Sequence, residues 1–176
     1  MRKTTLFIAM SLDGYIADAK GGADWLNGQD PDAVAENFYA EFIKTADTVL
    51  MGWNTFDQIV RELSPDEWPY SGLSTYVFTH RTLPDSKDIH FTKEDPCTLL
   101  KRLKQGEEKD IWICGGARLI EGIVQEEAIN PFWITVIPVL LGGGIRLFPT
   151  LKAPQELALV HVRHSNGMVD LLYRKR

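Results

Sequence analysis

Short apolar runs alternate along the chain with amphipathic segments, and these runs have the length and β-branched content of buried strands. Five of them predict strands at residues 4–10, 48–51, 74–79, 111–114 and 132–137. Two further runs, 157–162 and 168–173, flank Asn166 and Gly167. Asn-Gly favours the tight turn of a β-hairpin, so these last two runs predict a closing antiparallel pair.

Helix signals lie between the predicted strands. Asp30 and Pro31 fit an N-cap and a first helical position, and they predict a helix to about Thr45 with an apolar stripe of Val34, Ala35, Phe38 and Phe42. Three further helices are predicted: one capped by Asn54 or Thr55 with a Thr55–Gln58 capping box, one from Asp95-Pro96 towards Gln105, and one directly after Gly116. This order predicts an α/β fold, with a mostly parallel central sheet flanked by helices and an antiparallel C-terminal hairpin.

Length and composition fit one globular domain over residues 1–176, with 44% hydrophobic residues. A net charge of −5 argues against nucleic acid or an anionic membrane as partner, since both require clustered Lys and Arg. No run is long enough to span a bilayer. Cys97 and Cys114 give neither a disulfide framework nor a zinc spacing. The N-terminal apolar run ends early at Asp13-Gly14, which favours a first strand over a secretory signal and predicts a cytoplasmic protein.

Gly115 and Gly116 stand between a predicted strand and a predicted helix. Unpaired backbone N–H groups and the positive end of a helix dipole meet at such a turn, which makes it suitable for a phosphate. The standard fingerprints GxGxxG and GxxxxGK[ST] are both absent. The alternative is a simple turn in which the glycines only let the strand enter the helix.

Two other predicted strands end in residues suited to phosphate, at Gly52–Thr55 and at Thr79–Arg81. In an open α/β sheet, ligands bind beyond the carboxyl ends of the strands. The three strand ends are therefore predicted to face one ligand site.

A resemblance to a known family rests on these three segments together with the remaining motifs of the chain. These motifs are Ser11-Leu12-Asp13-Gly14-Tyr15-Ile16-Ala17, Asp24-Trp25-Leu26, Ile137-Pro138, Leu141-Gly142-Gly143-Gly144 and Leu147-Phe148. The chain resembles the dihydrofolate reductase superfamily, and more narrowly the C-terminal reductase domain of the bifunctional riboflavin-biosynthesis deaminase–reductase. The resemblance implies a dihydrofolate reductase-like fold, NADPH as cofactor and a homodimer.

Carried across by position, the resemblance gives fourteen residues a cofactor-binding role. Ala9 and Ile16 would lie against the nicotinamide and its ribose, and Thr79, His80 and Arg81 beside the adenosine 2′-phosphate. The pyrophosphate would be held by Gly52, Trp53, Asn54, Thr55, Gly115, Gly116, Ala117, Arg118 and Leu119. The Arg81 guanidinium can bind a phosphate with two hydrogen bonds, which favours NADPH over NADH.

Two of these residues carry alternatives. Relatives commonly have a basic residue where this chain has Trp53, and an indole cannot neutralise phosphate but can stack on adenine. Arg118 either binds ligand phosphate or pairs on the helix surface with Glu121, three residues along.

Three residues are candidates for catalytic roles. Glu36 corresponds to the substrate-facing carboxylate of folate reductases, with a solvated helix position or the acid Asp32 as alternatives. Asp13 is a second candidate, although Asp in such a turn often bonds only its own backbone. Thr135 would be the partner hydroxyl of the folate-reductase pattern, or else an ordinary β-branched strand residue. No metal site is expected, because a spacing of three puts His161 and His164 on opposite faces of a strand.

The sequence therefore predicts an NADPH-dependent oxidoreductase that reduces a CH–NH or imine-type bond in a small heterocyclic substrate. The closest branch implies a phosphorylated aminouracil precursor of riboflavin, 5-amino-6-(5-phosphoribosylamino)uracil. Two alternatives remain open, namely a dihydrofolate reductase and a nucleotide-binding module without turnover. The loop over residues 65–72, which carries Trp68 and Tyr70, is predicted to form an interface or to close over the cofactor.

Overall fold

An eight-stranded sheet forms the centre of the molecule in the computed structural model, which describes residues 2–33, 38–106, 108–148 and 150–176. Its strands are β1 (Thr4–Ser11), β3 (Ala46–Gly52), β4 (Ser74–Phe78), β5 (Ile89–Thr92), β6 (Asp110–Gly115), β7 (Phe132–Ile137), β9 (Leu157–Ser165) and β10 (Met168–Lys175). They lie across the sheet in the order β5-β4-β3-β6-β1-β7-β10-β9. A separate two-stranded sheet pairs β2 (Tyr15–Ala17) with β8 (Ile145–Arg146).

Within the eight-stranded sheet, neighbouring strands from β5 to β7 are parallel, and the pairs β7–β10 and β10–β9 are antiparallel. Asn166 and Gly167 have positive φ angles of 49° and 76° between β9 and β10, as a tight hairpin turn requires. The predicted α/β class and the closing hairpin are both confirmed. Three short strands escaped prediction, β2, β5 and β8, because they have only two to four residues each.

Helices cover both faces of the sheet. The helices α3 (Pro96–Leu103) and α4 (Ala117–Gln125) pack against a core that includes Leu6, Leu50 and Ile113. On the other face, α1 (Phe38–Phe42) and α2 (Trp53–Gln58) pack with many aromatic side chains. A 3-10 turn over Ile43–Thr45 follows α1, and a π-helical turn over Ile59–Leu63 follows α2.

Two predicted helix starts are wrong. Residues 31–33 lie in a turn, in which the Asp30 carboxylate accepts a hydrogen bond from the N–H of Asp32 at 2.9 Å, so Asp30 does not begin a helix there. The predicted stripe residues Val34 and Ala35 lie outside the described residues. The second error concerns α2, which begins at Trp53 without any side-chain cap, so the predicted Thr55–Gln58 capping box does not form.

The start of α3 is as predicted. The Asp95 carboxylate accepts a hydrogen bond from the N–H of Thr98 at 2.8 Å, and Pro96 occupies the first turn. Within the part of the chain that the structure describes, no helix is both long and apolar enough to cross a membrane.

Candidate functional site

A cleft of about 1550 Å³ opens at the carboxyl ends of β1, β3, β4 and β6. The strands are parallel, so each chain segment that leaves a strand emerges at the same edge of the sheet. The three phosphate-suited segments predicted from sequence follow β3, β4 and β6, and they meet in this cleft.

All fourteen residues predicted to bind a cofactor line this one cleft. They are Ala9, Ile16, Gly52, Trp53, Asn54, Thr55, Thr79, His80, Arg81, Gly115, Gly116, Ala117, Arg118 and Leu119. Their roles toward a cofactor stay predictions, but the residues lie together as the sequence led us to expect.

The loops after β3 and β6 touch through their backbones. Gly116 has a φ of 98°, and a Cβ atom at this residue would lie 3.1 Å from both Cα and N of Gly52. At Gly115, a Cβ would lie 3.2 Å from Cγ2 and Oγ1 of Thr55. Glycine is therefore needed at Gly116 for two reasons, the left-handed backbone and the close approach to Gly52.

Two helices begin at the point of contact between these loops. Gly116 is the N-cap of α4 and Gly52 is the N-cap of α2, and neither helix start has a side-chain cap. The first N–H groups of a helix have no partner inside the helix, so the first turns of α2 and α4 leave donors available at one place. Such an arrangement suits a diphosphate, which offers several acceptor oxygens.

Arg81 lies over Trp53 in the lining of the cleft. The guanidinium carbon is 4.1 Å from the centre of the indole ring, which is a cation–π distance. The indole itself rests against Phe56 and Phe91, at centroid distances of 5.5 and 6.4 Å. The Trp53 indole therefore supports the Arg81 side chain, which follows the neighbouring strand β4.

Arg118 is exposed on the first turn of α4 and lines the cleft. Among the described residues it forms no ion pair, so the alternative pairing with Glu121 is not present in the structure. The Arg118 charge is available to a ligand.

Asp13 lies outside the cleft lining, and both oxygens of its carboxylate accept hydrogen bonds from neighbouring residues. It accepts hydrogen bonds from the Ser11 hydroxyl at 2.6 Å and from the N–H groups of Leu141 and Gly142 at 3.2 and 2.7 Å. The Ser11 hydroxyl and these N–H groups hold the pKa of the Asp13 carboxyl below its usual value. This geometry gives Asp13 a role in tying the residue 11–14 turn to the glycine-rich loop.

Thr135 donates a hydrogen bond to an acid that the sequence did not single out. Its hydroxyl lies 2.9 Å from Oδ1 of Asp170, and Trp133 Nε1 lies 2.6 Å from Oδ2. Asp170 is only 2% exposed, and Arg163 approaches it at 3.5 Å. In the strand register Thr135 stands between Ala9 and Asp170, outside the cleft lining. In the sequence, this acid could have been noticed as an aspartate inside the apolar run of β10.

Glu36, the predicted proton donor, lies outside the described residues. The alternative acid Asp32 is exposed in the turn of residues 30–33 and is not part of the cleft lining.

The cleft lining also contains a group of mostly aromatic side chains, Phe7, Tyr39, Tyr70, Trp112 and Cys114. Of these the sequence had indicated only Tyr70, through the loop of residues 65–72 that was predicted to form an interface or to close over the cofactor. Trp112 and Cys114 stand two residues apart on β6, just before Gly115, so their side chains share one face of the sheet. This spacing is the sequence feature that could have indicated them. Tyr70 belongs to an irregular loop, and sequence periodicity does not predict where the side chains of such a loop lie.

No group of side chains suited to a metal ion occurs among residues 2–33, 38–106, 108–148 and 150–176. His161 pairs with Leu172 and His164 with Val169, so the two histidines lie on opposite faces of β9.

Known proteins resemble this chain in both sequence and fold. The family model described as the RibD C-terminal domain matches residues 2–170. The uncharacterized protein YwjB of Bacillus subtilis (strain 168) is 42% identical over 98% of this chain and 97% of its own length. A Shewanella sp. PV-4 crystal structure, provisionally assigned to riboflavin biosynthesis, is 28% identical with a TM-score of 0.84, and the match covers 99% of both chains. The deaminase and 5-amino-6-(5-phosphoribosylamino)uracil reductase of Thermotoga maritima shares the fold at 16% identity and a TM-score of 0.73, over 99% of this chain and 57% of that one.

Proposed function

The chain belongs to the RibD C-terminal domain family, and on that premise we propose that it is an NADPH-dependent reductase of a small heterocyclic substrate. The observation that carries the proposal is the meeting of three strand ends in one cleft, with Gly52 and Gly116 in backbone contact. The contact leaves a surface of N–H groups that a pyrophosphate fits.

In this proposal Arg81 selects the phosphorylated cofactor. A guanidinium is always charged and binds phosphate oxygens with two parallel hydrogen bonds, and the Trp53 ring below it fixes its direction. Arg118 contributes a second positive charge at the pyrophosphate. Ala9 and Ile16 provide apolar contact for the nicotinamide.

The bound cofactor would supply the hydride from nicotinamide C4, while the protein supplies orientation and electrostatics. The chain holds the two reactants together in the cleft, and such positioning can lower a barrier by roughly 7–11 kcal/mol at best. Reduction of an imine-type bond places the hydride on carbon and needs one proton on nitrogen. Glu36 stays the predicted source of that proton, either directly or through water.

Within this class we propose 5-amino-6-(5-phosphoribosylamino)uracil, the compound named for the Thermotoga maritima reductase, as the first substrate to test. Dihydrofolate is the second candidate. The two partly buried free cysteines suit a reducing compartment, so we place the reaction in the cytoplasm.

The reaction test is a panel assay that follows the loss of the reduced nicotinamide absorbance with each compound. We expect oxidation of NADPH with the aminouracil and none above background with dihydrofolate. Oxidation with dihydrofolate alone would assign the chain to the folate alternative. NADPH binding without oxidation by either compound would contradict the proposed reaction and favour the binding module.

We further propose that the chain forms a homodimer through β9, the edge strand next to β10. Leu159, Val160 and Val162 on this strand are 53, 46 and 52% exposed, so three apolar side chains of the edge strand are open to solvent. Such an edge normally pairs with another chain or carries charges that prevent pairing.

Sedimentation is expected to give a mass of about 40 kDa, twice the 19.9 kDa of one chain. The substitution Val162→Glu is expected to give a folded monomer, because it buries a charge in the proposed interface. The control is Leu140→Glu, which changes a leucine that is 70% exposed elsewhere on the surface and is expected to leave the dimer intact. A wild-type monomer at micromolar concentration would contradict this proposal.

A further inference from the structure

An aromatic compartment, defined by Phe7, Tyr39, Tyr70, Trp112 and Cys114, forms one wall of the cleft. Tyr70 meets Trp112 edge-on with ring centres 5.0 Å apart, and Tyr39 lies 5.8 Å from the same indole. Phe7 completes the group at 6.1 Å from Tyr39 and 6.4 Å from Trp112.

Strand register places this compartment beside the proposed nicotinamide position. β1 and β6 are parallel neighbours, and Thr5 is paired with Trp112. Side chains two residues apart on a strand share a face, so Ala9 lies on the same face as Phe7, just beyond it. On β6, Gly115 follows Cys114 directly at the proposed pyrophosphate position. The compartment is therefore where a substrate would meet the reactive ring of the cofactor.

Within the compartment two hydroxyl donors, those of Tyr39 and Tyr70, have no acceptor among the described residues. The Trp112 N–H is already bonded to the carbonyl of Phe7 at 3.0 Å. The Cys114 thiol donates to the Tyr70 hydroxyl oxygen, with 3.8 Å between sulfur and oxygen. The Tyr70 hydroxyl therefore keeps its own proton for another acceptor, and among the described residues none accepts it. A partly buried donor of this kind is normally satisfied by a ligand or by water.

The five side chains that define the compartment are all uncharged at neutral pH. Burial raises the pKa of the Cys114 thiol to about 12, and it also raises the pKa of the Tyr70 hydroxyl. The pKa of Tyr39 is raised by burial and by the nearby thiol. A charged ring placed here would lose its hydration without gaining a counter-charge from these groups.

We propose that Tyr70 is a specificity-determining residue that donates a hydrogen bond to the polar edge of a flat, uncharged heterocycle held in the aromatic compartment. The proposal rests on the proposed function for the position of the cofactor. It assigns the substrate ring to the compartment and its acceptor atom, a carbonyl oxygen or ring nitrogen, to Tyr70. The loop of residues 65–72 then serves as a substrate-binding element, since it supplies Tyr70.

The test is calorimetric titration with two uracil derivatives, 5,6-diaminouracil, which is neutral, and orotate, which carries a carboxylate. Each is titrated into the full-length protein with and without saturating NADPH. Wild type is expected to bind 5,6-diaminouracil at least about tenfold more tightly than orotate, because the carboxylate would be desolvated without a partner.

The variant Tyr70→Phe keeps the ring on Trp112 and removes only the hydroxyl. It is expected to weaken binding of 5,6-diaminouracil about tenfold, the effect of one hydrogen bond, with an unchanged NADPH dissociation constant. Tyr76→Phe is the matched control, because Tyr76 packs on the opposite face of the sheet. It is expected to bind both ligands like wild type.

The outcomes separate this inference from the proposed function. If NADPH binds but Tyr70→Phe binds 5,6-diaminouracil like wild type, the role of Tyr70 is wrong and the cofactor proposal stands. If NADPH does not bind but the protein alone binds 5,6-diaminouracil in a Tyr70-dependent way, the proposed function fails and the compartment is supported. Equal binding of orotate, or no binding of either ring, would overturn the inference.

Discussion

The substitution Gly116→Ala is expected to weaken NADPH binding at least about 100-fold, which corresponds to about 2.8 kcal/mol. A methyl group at this residue would lie 3.1 Å from two backbone atoms of Gly52, and neither can move without shifting the loop after β3. The φ of 98° adds a further strain for any residue other than glycine. The two loops would separate, and their N–H groups would no longer converge on one pyrophosphate.

The same substitution is expected to lower the free energy of unfolding by about 2 kcal/mol, from backbone strain alone. Gly122→Ala is the matched control, because Gly122 lies in the same helix with nothing within 4 Å of its added methyl. This control is expected to gain up to about 1 kcal/mol of stability and to bind NADPH like wild type. Isothermal titration and chemical denaturation measure the two quantities. Normal NADPH affinity in a folded Gly116→Ala protein would show that Gly116 serves only the turn from β6 into α4 and not cofactor binding.

Replacing Arg81 by alanine is expected to weaken NADPH binding about 50-fold and to leave NADH binding unchanged. The guanidinium would contact only the 2′-phosphate, and hydrogen bonds to a charged group contribute about 1.5–3 kcal/mol. The ratio of the NADH to the NADPH dissociation constant should therefore fall to nearly one. The salt dependence of NADPH binding should weaken as well.

Arg146→Ala is the matched control for Arg81. Arg146 also lies over an aromatic ring, 4.8 Å from the centre of Tyr15, but it does not line the cleft. Its loss is expected to leave both dissociation constants unchanged. Equal weakening of NADPH and NADH in Arg81→Ala would contradict a 2′-phosphate role and indicate a general loss of structure around Trp53.

The sequence predicted the parallel part of the fold and the edge at which the ligand residues meet. This succeeded because strand ends in a parallel sheet share one edge, so Gly52, Arg81 and Gly116 converge whatever the details of packing. The Asn166-Gly167 turn was equally predictable, since positive φ angles limit the residues that fit.

Contacts between distant parts of the chain were not predictable in the same way. The acid beside Thr135 is Asp170, which comes from a strand 35 positions further along and was hidden in an apolar run. Asp30 has the residue type of a helix cap, but its carboxylate closes a local turn. Tyr70 reaches the cleft from an irregular loop whose direction depends on packing against Trp112. Such positions follow from tertiary packing, which a local pattern does not encode.

Binding of NADPH in this cleft is the central claim, and intrinsic tryptophan fluorescence tests it most directly. Trp53 and Trp112 both line the cleft, so a bound nicotinamide cofactor should quench the emission. We predict saturable quenching by NADPH and about 50-fold weaker binding of NADH, equivalent to about 2.3 kcal/mol for the contacts to the 2′-phosphate. Absence of quenching by either cofactor, at concentrations up to the millimolar range, would contradict the account.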